Sequence, residues 1–427
     1  MPAPAPLLDV YSQPTLSTLA PSVLASLGVS GEANRLDLQP SKKTVILLVD
    51  GMGANLLARN AEHAPFLNSL IGTPIRAGFP TTTATSIVSL GTGLPSGAHG
   101  ITGYQSYVEE ADSVFNWLGW HSAGKKESQT DSIVPETLQP QATTFDRAAA
   151  AGITVTTVVP SKFDGSGLTR AGMRGAQFAG IQAYGDLLAR TVAASKSADR
   201  TFTYCYISEI DALGHVYGPE SEPWIFQLML VDRLVEQLAA ALGPDVRLLV
   251  TADHGMVDVS DENKIDFDNT PILSKDVLAL AGEPRCRHIH TREGAAQDVA
   301  DRWRAELGDR MWIGTRSEGI VAGLFGPAVH SEYHAGSVMS SPLRPGTWPS
   351  YVDLSNRDCP ASVDSTAPSL RTNCWYRSCP QDSSRVRARR ISGTPTTLHA
   401  PNRTTAPTAA PADNEITAAS LGSGTRF

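Results

Sequence analysis

Three aspartates and two histidines stand where an α/β protein gathers catalytic groups. Asp50 lies in VDGMG, Asp211 and His215 in DALGHVYGP, and Asp253 with His254 in TADHGM. Carboxylate oxygens and imidazole nitrogens suit Zn²⁺, and the same donors serve Mn²⁺ or Fe. Asp211 and His215 are four residues apart, so they lie on one side of a helical turn or around a loop that curls back. Asp253 and His254 can share an ion only where a strand has ended, because neighbours within a strand face opposite ways. Gly51, Gly214 and Gly255 suit tight turns beside such ions. Read singly, a strand-end aspartate is about as often a helix N-cap. Three in one chain, two with histidines attached, point to a metal site. Two ions about 4 Å apart are a device for phosphoryl transfer, holding the attacking and leaving oxygens together.

A second element, GFPTTTATSIVSLGTGLPSGAHGI (78–101), carries Thr81, Thr82, Thr83, Thr85 and Ser86 ahead of an apolar stretch. The pattern predicts a helix beginning near Thr85. A helix N-terminus offers free N–H groups and the positive end of a dipole to a phosphate. A hydroxyl placed there beside a metal can serve as a nucleophile. Composition alone does not choose among the hydroxyls, and an isolated segment of this kind reads first as a plain N-cap without chemistry.

These groups need a frame. TVILLVD (44–50), FTYCYISEID (202–211) and VRLLVTAD (246–253) are short, nearly continuous apolar runs, as strands buried on both faces should be, and each ends in an aspartate. ITVTTVV (153–159) is a fourth strand candidate. WIFQLMLVDRLVEQLAAAL (224–242) is helical and stops at Gly243-Pro244. The alternation predicts an α/β fold: a mostly parallel sheet with helices on both faces. Ligands in such sheets sit beyond the carboxyl ends of the strands, which would bring Asp50, Asp211 and Asp253 to one edge.

The composition narrows the partners. With 35 basic and 43 acidic residues the net charge is −8, which argues against nucleic acid and anionic membranes, since both need a basic footprint. No apolar run approaches the roughly 20 residues of a membrane span. MPAPAPLLDV lacks the basic and apolar regions of a secretory signal, so a cytoplasmic protein is expected. Cys205, Cys286, Cys359, Cys374 and Cys379 are odd in number and without zinc-finger spacing. Residues 1–40 read as an N-terminal extension packed on the outside, 41–330 as the main domain, and 331–427 as an atypical tail.

VDGMG, FPTTTATSIVSLGTGLPSGAHGI, EIDALGHVYGP and TADHGM together resemble the alkaline phosphatase superfamily, in its nucleotide pyrophosphatase/phosphodiesterase branch, over about residues 42–330. The resemblance implies a metal-dependent phosphoric ester hydrolase acting on a small phosphate ester or nucleotide. It implies two divalent ions, usually zinc. One is held by Asp50, Thr83, Asp253 and His254; the other is held by Asp211, His215 and a further histidine near the C-terminus. Thr83 falls at the family's nucleophile position, giving a phosphothreonine that water on the second metal hydrolyses. Ser86 replaces the asparagine that helps hold the phosphate. Alternatives are a phosphomonoesterase or phosphonate hydrolase of the same superfamily, or an impaired homologue that binds metal or nucleotide. A sulfatase is disfavoured, because no C-x-P-x-R or S-x-P-x-R signature accompanies the hydroxyl segment.

Three other features are set beside the site. His99 is expected to be structural. His288 and His290, in RCRHIHT, are expected on an exposed strand face. Trp117 and Trp120 could line a substrate pocket or simply pack. Beyond residue 330 the periodicity disappears, and Ser, Thr, Pro and Arg dominate. Seven acids against ten arginines give this tail +3, leaving −11 for the rest. The change reads as a shifted reading frame, with a disordered tail as the alternative. Neither His334 nor His399 has the G-x-H-G setting of the missing ligand, so the second metal site is expected to be incomplete.

Overall fold

In the computed structural model, residues 10–260 and 263–330 are described, with three short strands, Val338–Pro342, Tyr351–Asp353 and Asn373–Trp375. They belong to one unit spanning residues 1–381. Its centre is an all-parallel five-stranded sheet in the order Gln177–Ile181, Thr154–Pro160, Thr201–Ile207, Lys43–Val49, Val246–Thr251. Thr201–Ile207 and Val246–Thr251 are buried at every position. That is why their sequences lack the polar alternation of a half-exposed strand.

The two faces bury different residues. On one, Ile46, Leu48, Phe202, Tyr204, Tyr206 and Leu249 join a core with the helices Leu16–Ser26, Thr83–Thr92 and Thr144–Ala150. On the other, Val45, Leu47, Val49, Cys205, Ile207 and Val250 pack with Tyr184–Ser195 and Glu222–Ala241. The fold is thus the expected α/β architecture. The N-terminal segment does more than cover the outside: Leu16, Leu19, Ala20, Val23 and Leu24 are fully buried in the first core. Each of the leucines and Val23 contributes roughly 1.5–3 kcal/mol on burial.

The sheet content extends beyond the parallel layer. A seven-stranded antiparallel sheet runs Met311–Thr315, Val338–Pro342, Cys286–Thr291, Val277–Glu283, Gln105–Val108, Ser113–Asn116, His121–Ser122. RCRHIHT is therefore a strand, but an interior one. His288 is fully buried and His290 half-buried, contrary to the exposed face expected of them, because Val277–Glu283 and Val338–Pro342 flank the strand. Trp117 and Trp120 are core residues, packed edge-on against each other and tilted or edge-on against Phe115, with their indole N–H groups on Ser106 and the Ile133 carbonyl. The predicted helix near Thr85 begins at Thr83. No helix among the described residues is long and apolar enough to cross a membrane. The tail apart from its three short strands, including His334 and His399, lies outside the described residues.

Candidate active site

The three central strands deliver their aspartates to one sheet edge. Lys43–Val49 lies between Thr201–Ile207 and Val246–Thr251, with Val49 opposite Ile207 and Leu48 opposite Thr251. Asp50 follows the first strand, and its N–H is fixed on the Ile207 carbonyl. Asp253 and His254 follow the third, where the strand has ended and both can turn inward. Asp211 and His215 sit one turn apart on the helix Glu209–Tyr217, Asp211 Oδ2 lying 3.3 Å from His215 Nε2. Close approach of these loops demands glycine. A Cβ on Gly53 would lie 2.6 Å from the Gly255 backbone, and Gly51, at φ +71°, turns the chain against Asp211.

Asp50, Asp253 and His254 form a group whose ligand atoms all lie within 4.8 Å of one another. His254 Nε2 is 3.3 Å from Asp50 Oδ1 and 3.5 Å from Asp253 Oδ2. His254 Nδ1 lies 3.1 Å from the Gly255 carbonyl, which accepts its hydrogen bond and turns Nε2 towards the cluster. Asp253 Oδ1 accepts the N–H groups of Gly51 and His254, fixing that carboxylate. Thr83, the first residue of its helix, presents Oγ1 at 3.0 Å from His254 Nε2 and 3.4 Å from each oxygen of Asp50.

The three carboxylates crowd negative charge into a buried edge of the sheet. Asp50, Asp253 and His254 are all 2% exposed or less. Burial first, and then the charges of Asp253 and Asp211, hold the Asp50 carboxyl well above the usual range. Burial also raises Asp211, but the hydrogen bond and charge of His215, with the charge of His254, outweigh it and leave Asp211 low. Asp253 Oδ2 and Asp211 Oδ1 are buried without hydrogen-bond partners. Orphaned carboxylate oxygens grouped with an imidazole nitrogen fit a divalent cation. Among the described residues this is the one such group of three or more; Asp211 and His215 stand as a pair beside it.

Ser86 is 1% exposed, and its O–H is committed to the Asp253 carbonyl at 2.9 Å. His99 is buried between Ser89, 2.9 Å from Nε2, and the Ile101 N–H, which donates to Nδ1, outside the ligand group. One contributor escaped the sequence reading: Tyr206 donates its hydroxyl to Asp50 Oδ2. The signal was a polar-tipped aromatic in the last residues of an apolar strand.

Residues 44–353, more than two thirds of the chain, match the Phosphodiest family, type I phosphodiesterase / nucleotide pyrophosphatase. The chain belongs to that family. This is the nucleotide pyrophosphatase-like branch of the alkaline phosphatase superfamily, and the match runs beyond residue 330 to Asp353. No curated protein sequence matches significantly. Among solved structures, murine ectonucleotide pyrophosphatase/phosphodiesterase 5, as an inactive threonine-to-alanine variant in complex with AMP, gives a TM-score of 0.62. Identity is 16%, over 79% of this chain and 88% of that one. The same murine protein and its human counterpart each give 0.60, at 17% and 16% identity, over 79% of this chain and 87% of theirs. At these identities the likeness establishes the fold.

Proposed function

We propose that this phosphodiesterase-family chain hydrolyses small phosphate diesters or the pyrophosphate bonds of nucleotides, with Thr83 as nucleophile. The observation that carries the reading is the position of Thr83 Oγ1, 3.0 Å from His254 Nε2 and 3.4 Å from both Asp50 oxygens, at the start of a ten-residue helix. Asp50, Thr83, Asp253 and His254 would hold one divalent ion, zinc by preference for this mixed oxygen/nitrogen set, and Asp211 with His215 a second. When bound, such ions supply Lewis acidity, making a hydroxyl more acidic and offsetting charge on phosphoryl oxygens.

The chain's own residues account for the rest. The Thr83 hydroxyl loses its proton to solvent as its O–P bond forms and the leaving-group O–P bond breaks, in line. The leaving oxygen takes a proton from solvent. Water then cleaves the phosphothreonine, releasing the phosphate product and restoring the hydroxyl. The first-turn N–H groups of the Thr83 helix have no intrahelical partners and, with the dipole, favour the negatively charged phosphorylated state. Asp253 is held by two backbone N–H groups, so the group is preorganised rather than assembled on binding. For Ser86 to contact the phosphate, its O–H would have to leave the Asp253 carbonyl. AMP in the murine relative supports the nucleotide as a substrate class.

A specific observation favours a second reading, an impaired homologue that binds metal or nucleotide. The Asp211/His215 pair has no third protein ligand in a group among the described residues, and the His215 side chain is 33% exposed. Hydrolysis of bis-p-nitrophenyl phosphate, p-nitrophenyl phosphate and a nucleotide diester with Zn²⁺ or Mn²⁺, before and after chelation, separates the readings. Diester turnover abolished by chelation supports the hydrolase. Monoester preference favours a phosphomonoesterase. Tight metal binding without turnover of any substrate favours the impaired homologue.

A further inference from the structure

The carboxylate of Asp50 has two oxygens with different duties. Oδ1 is the one that lies 3.3 Å from His254 Nε2, and Oδ2 accepts the Tyr206 hydroxyl. Tyr206 sits on the strand beside Asp50, one residue before Ile207, whose carbonyl holds the Asp50 N–H. Its ring is 8% exposed, and Phe163 packs edge-on against it with centroids 6.0 Å apart. The hydroxyl is therefore delivered by a side chain that is itself held on its strand and along its ring.

We propose that Tyr206 is a positioning residue for the metal site: its hydrogen bond fixes the Asp50 carboxylate so that Oδ1 faces His254 and Asp253, and thereby sets the affinity for a divalent cation. The proposal rests on the reading of Asp50 as a metal ligand. An Asp carboxylate turns readily about its last torsion, and one without an outside partner must be ordered by the cation itself. Loss of such outer partners typically weakens metal binding about 10- to 100-fold. Tyr204, two residues back on the same strand and in the same core, has a buried hydroxyl without a hydrogen-bond partner. It offers an internal control that removes the same atom from the same strand and core.

The test is titration of Zn²⁺ alone into the metal-free full chain, in competition with a chromophoric chelator, for the wild type, Tyr206→Phe and Tyr204→Phe. Tyr206→Phe should bind about 10- to 100-fold more weakly, and Tyr204→Phe within twofold of the wild type, with both metal-free variants keeping the wild-type far-ultraviolet circular dichroism and a cooperative urea transition. Should Tyr206→Phe fail to fold, Phe163→Leu, which keeps the hydroxyl but loosens its ring, should still weaken binding severalfold. Affinity of Tyr206→Phe, or of Phe163→Leu in its place, within twofold of the wild type overturns the proposal. So does an equal loss in Tyr204→Phe, which would mark a general strand effect. A wild type that binds no Zn²⁺ instead removes Asp50 as a ligand, and the role of Tyr206 goes with it.

Discussion

Replacing Gly91 by alanine should destabilise the protein, although alanine is the better helix former. Gly91 lies in the helix that begins at Thr83, every residue of which is buried. A Cβ at this position would sit 1.9 Å from the Gly172 carbonyl oxygen and 2.8 Å from its carbon. Carbon and oxygen rest at about 3.2 Å or more, so the helix Gly167–Gly172 would have to retreat by roughly 1.3 Å. The obstacle is backbone on both sides, and no rotamer relieves it. Overpacking of this kind costs about 3 kcal/mol or more, against a helix-propensity gain of about 1 kcal/mol, leaving a net loss of about 2 kcal/mol. Gly185 is the counter-case: it lies in the helix Tyr184–Ser195, is exposed, and a Cβ there meets nothing within 4 Å. Gly185→Ala should stabilise by about 0.4–1 kcal/mol. Urea unfolding of both variants should show midpoints moving in opposite directions at unchanged slope. A Gly91→Ala protein as stable as the wild type would refute the close helix crossing.

Three further outcomes are expected. Burial pushes the His99 imidazole down to about 3 from 6.5, so the unfolded chain takes up the proton first and acid costs stability. The contribution of neutral His99 is complete above pH 6.5, falls by about 2 kcal/mol by pH 5 and continues to fall towards pH 3. The unfolding free energy of His99→Gln should lack that portion of the acid slope, and a wild-type-minus-variant difference independent of pH would contradict this. Asp50→Asn removes a carboxyl that is costly to ionise from a buried, mutually repelling set, so the metal-free protein should gain about 1 kcal/mol while losing the rise in melting temperature that Zn²⁺ gives the wild type. A less stable metal-free variant would argue against repulsion. Leu19→Ala, in the fully buried part of the N-terminal helix, should cost about 2–5 kcal/mol, and a loss below 1 kcal/mol would mean that this helix is peripheral.

The parallel sheet was legible because its strands are buried on both faces, which leaves continuous apolar runs in 44–50, 202–211 and 246–253. The convergence of Asp50, Asp253 and His254 was legible for a related reason, since strand ends in such a sheet share one edge. The antiparallel sheet was not. Its strands are four to seven residues long in the main and come from segments far apart in sequence, and their burial depends on partners that local periodicity does not reveal. His288 shows the consequence: an alternating strand was read correctly, but which face met the core was a tertiary question. The helix start at Thr83, two residues earlier than read, turns on Thr82 serving as the N-cap in extended conformation, a choice open to several neighbouring hydroxyls. Tyr206 was missed because a hydroxyl on an aromatic strand residue carries no spacing signature.

The central claim is that Thr83 performs the chemistry inside a metal-binding group formed by Asp50, Asp253 and His254. The most direct test is one paired measurement on wild type and Thr83→Ala: bound zinc per chain together with the rate of bis-p-nitrophenyl phosphate hydrolysis. Thr83 is 9% exposed at the helix start, and its removal leaves the other three ligand side chains in place. Thr83→Ala should still bind zinc and keep its fold, while turnover falls at least about 1,000-fold. Zinc-dependent turnover in Thr83→Ala close to that of the wild type would contradict it.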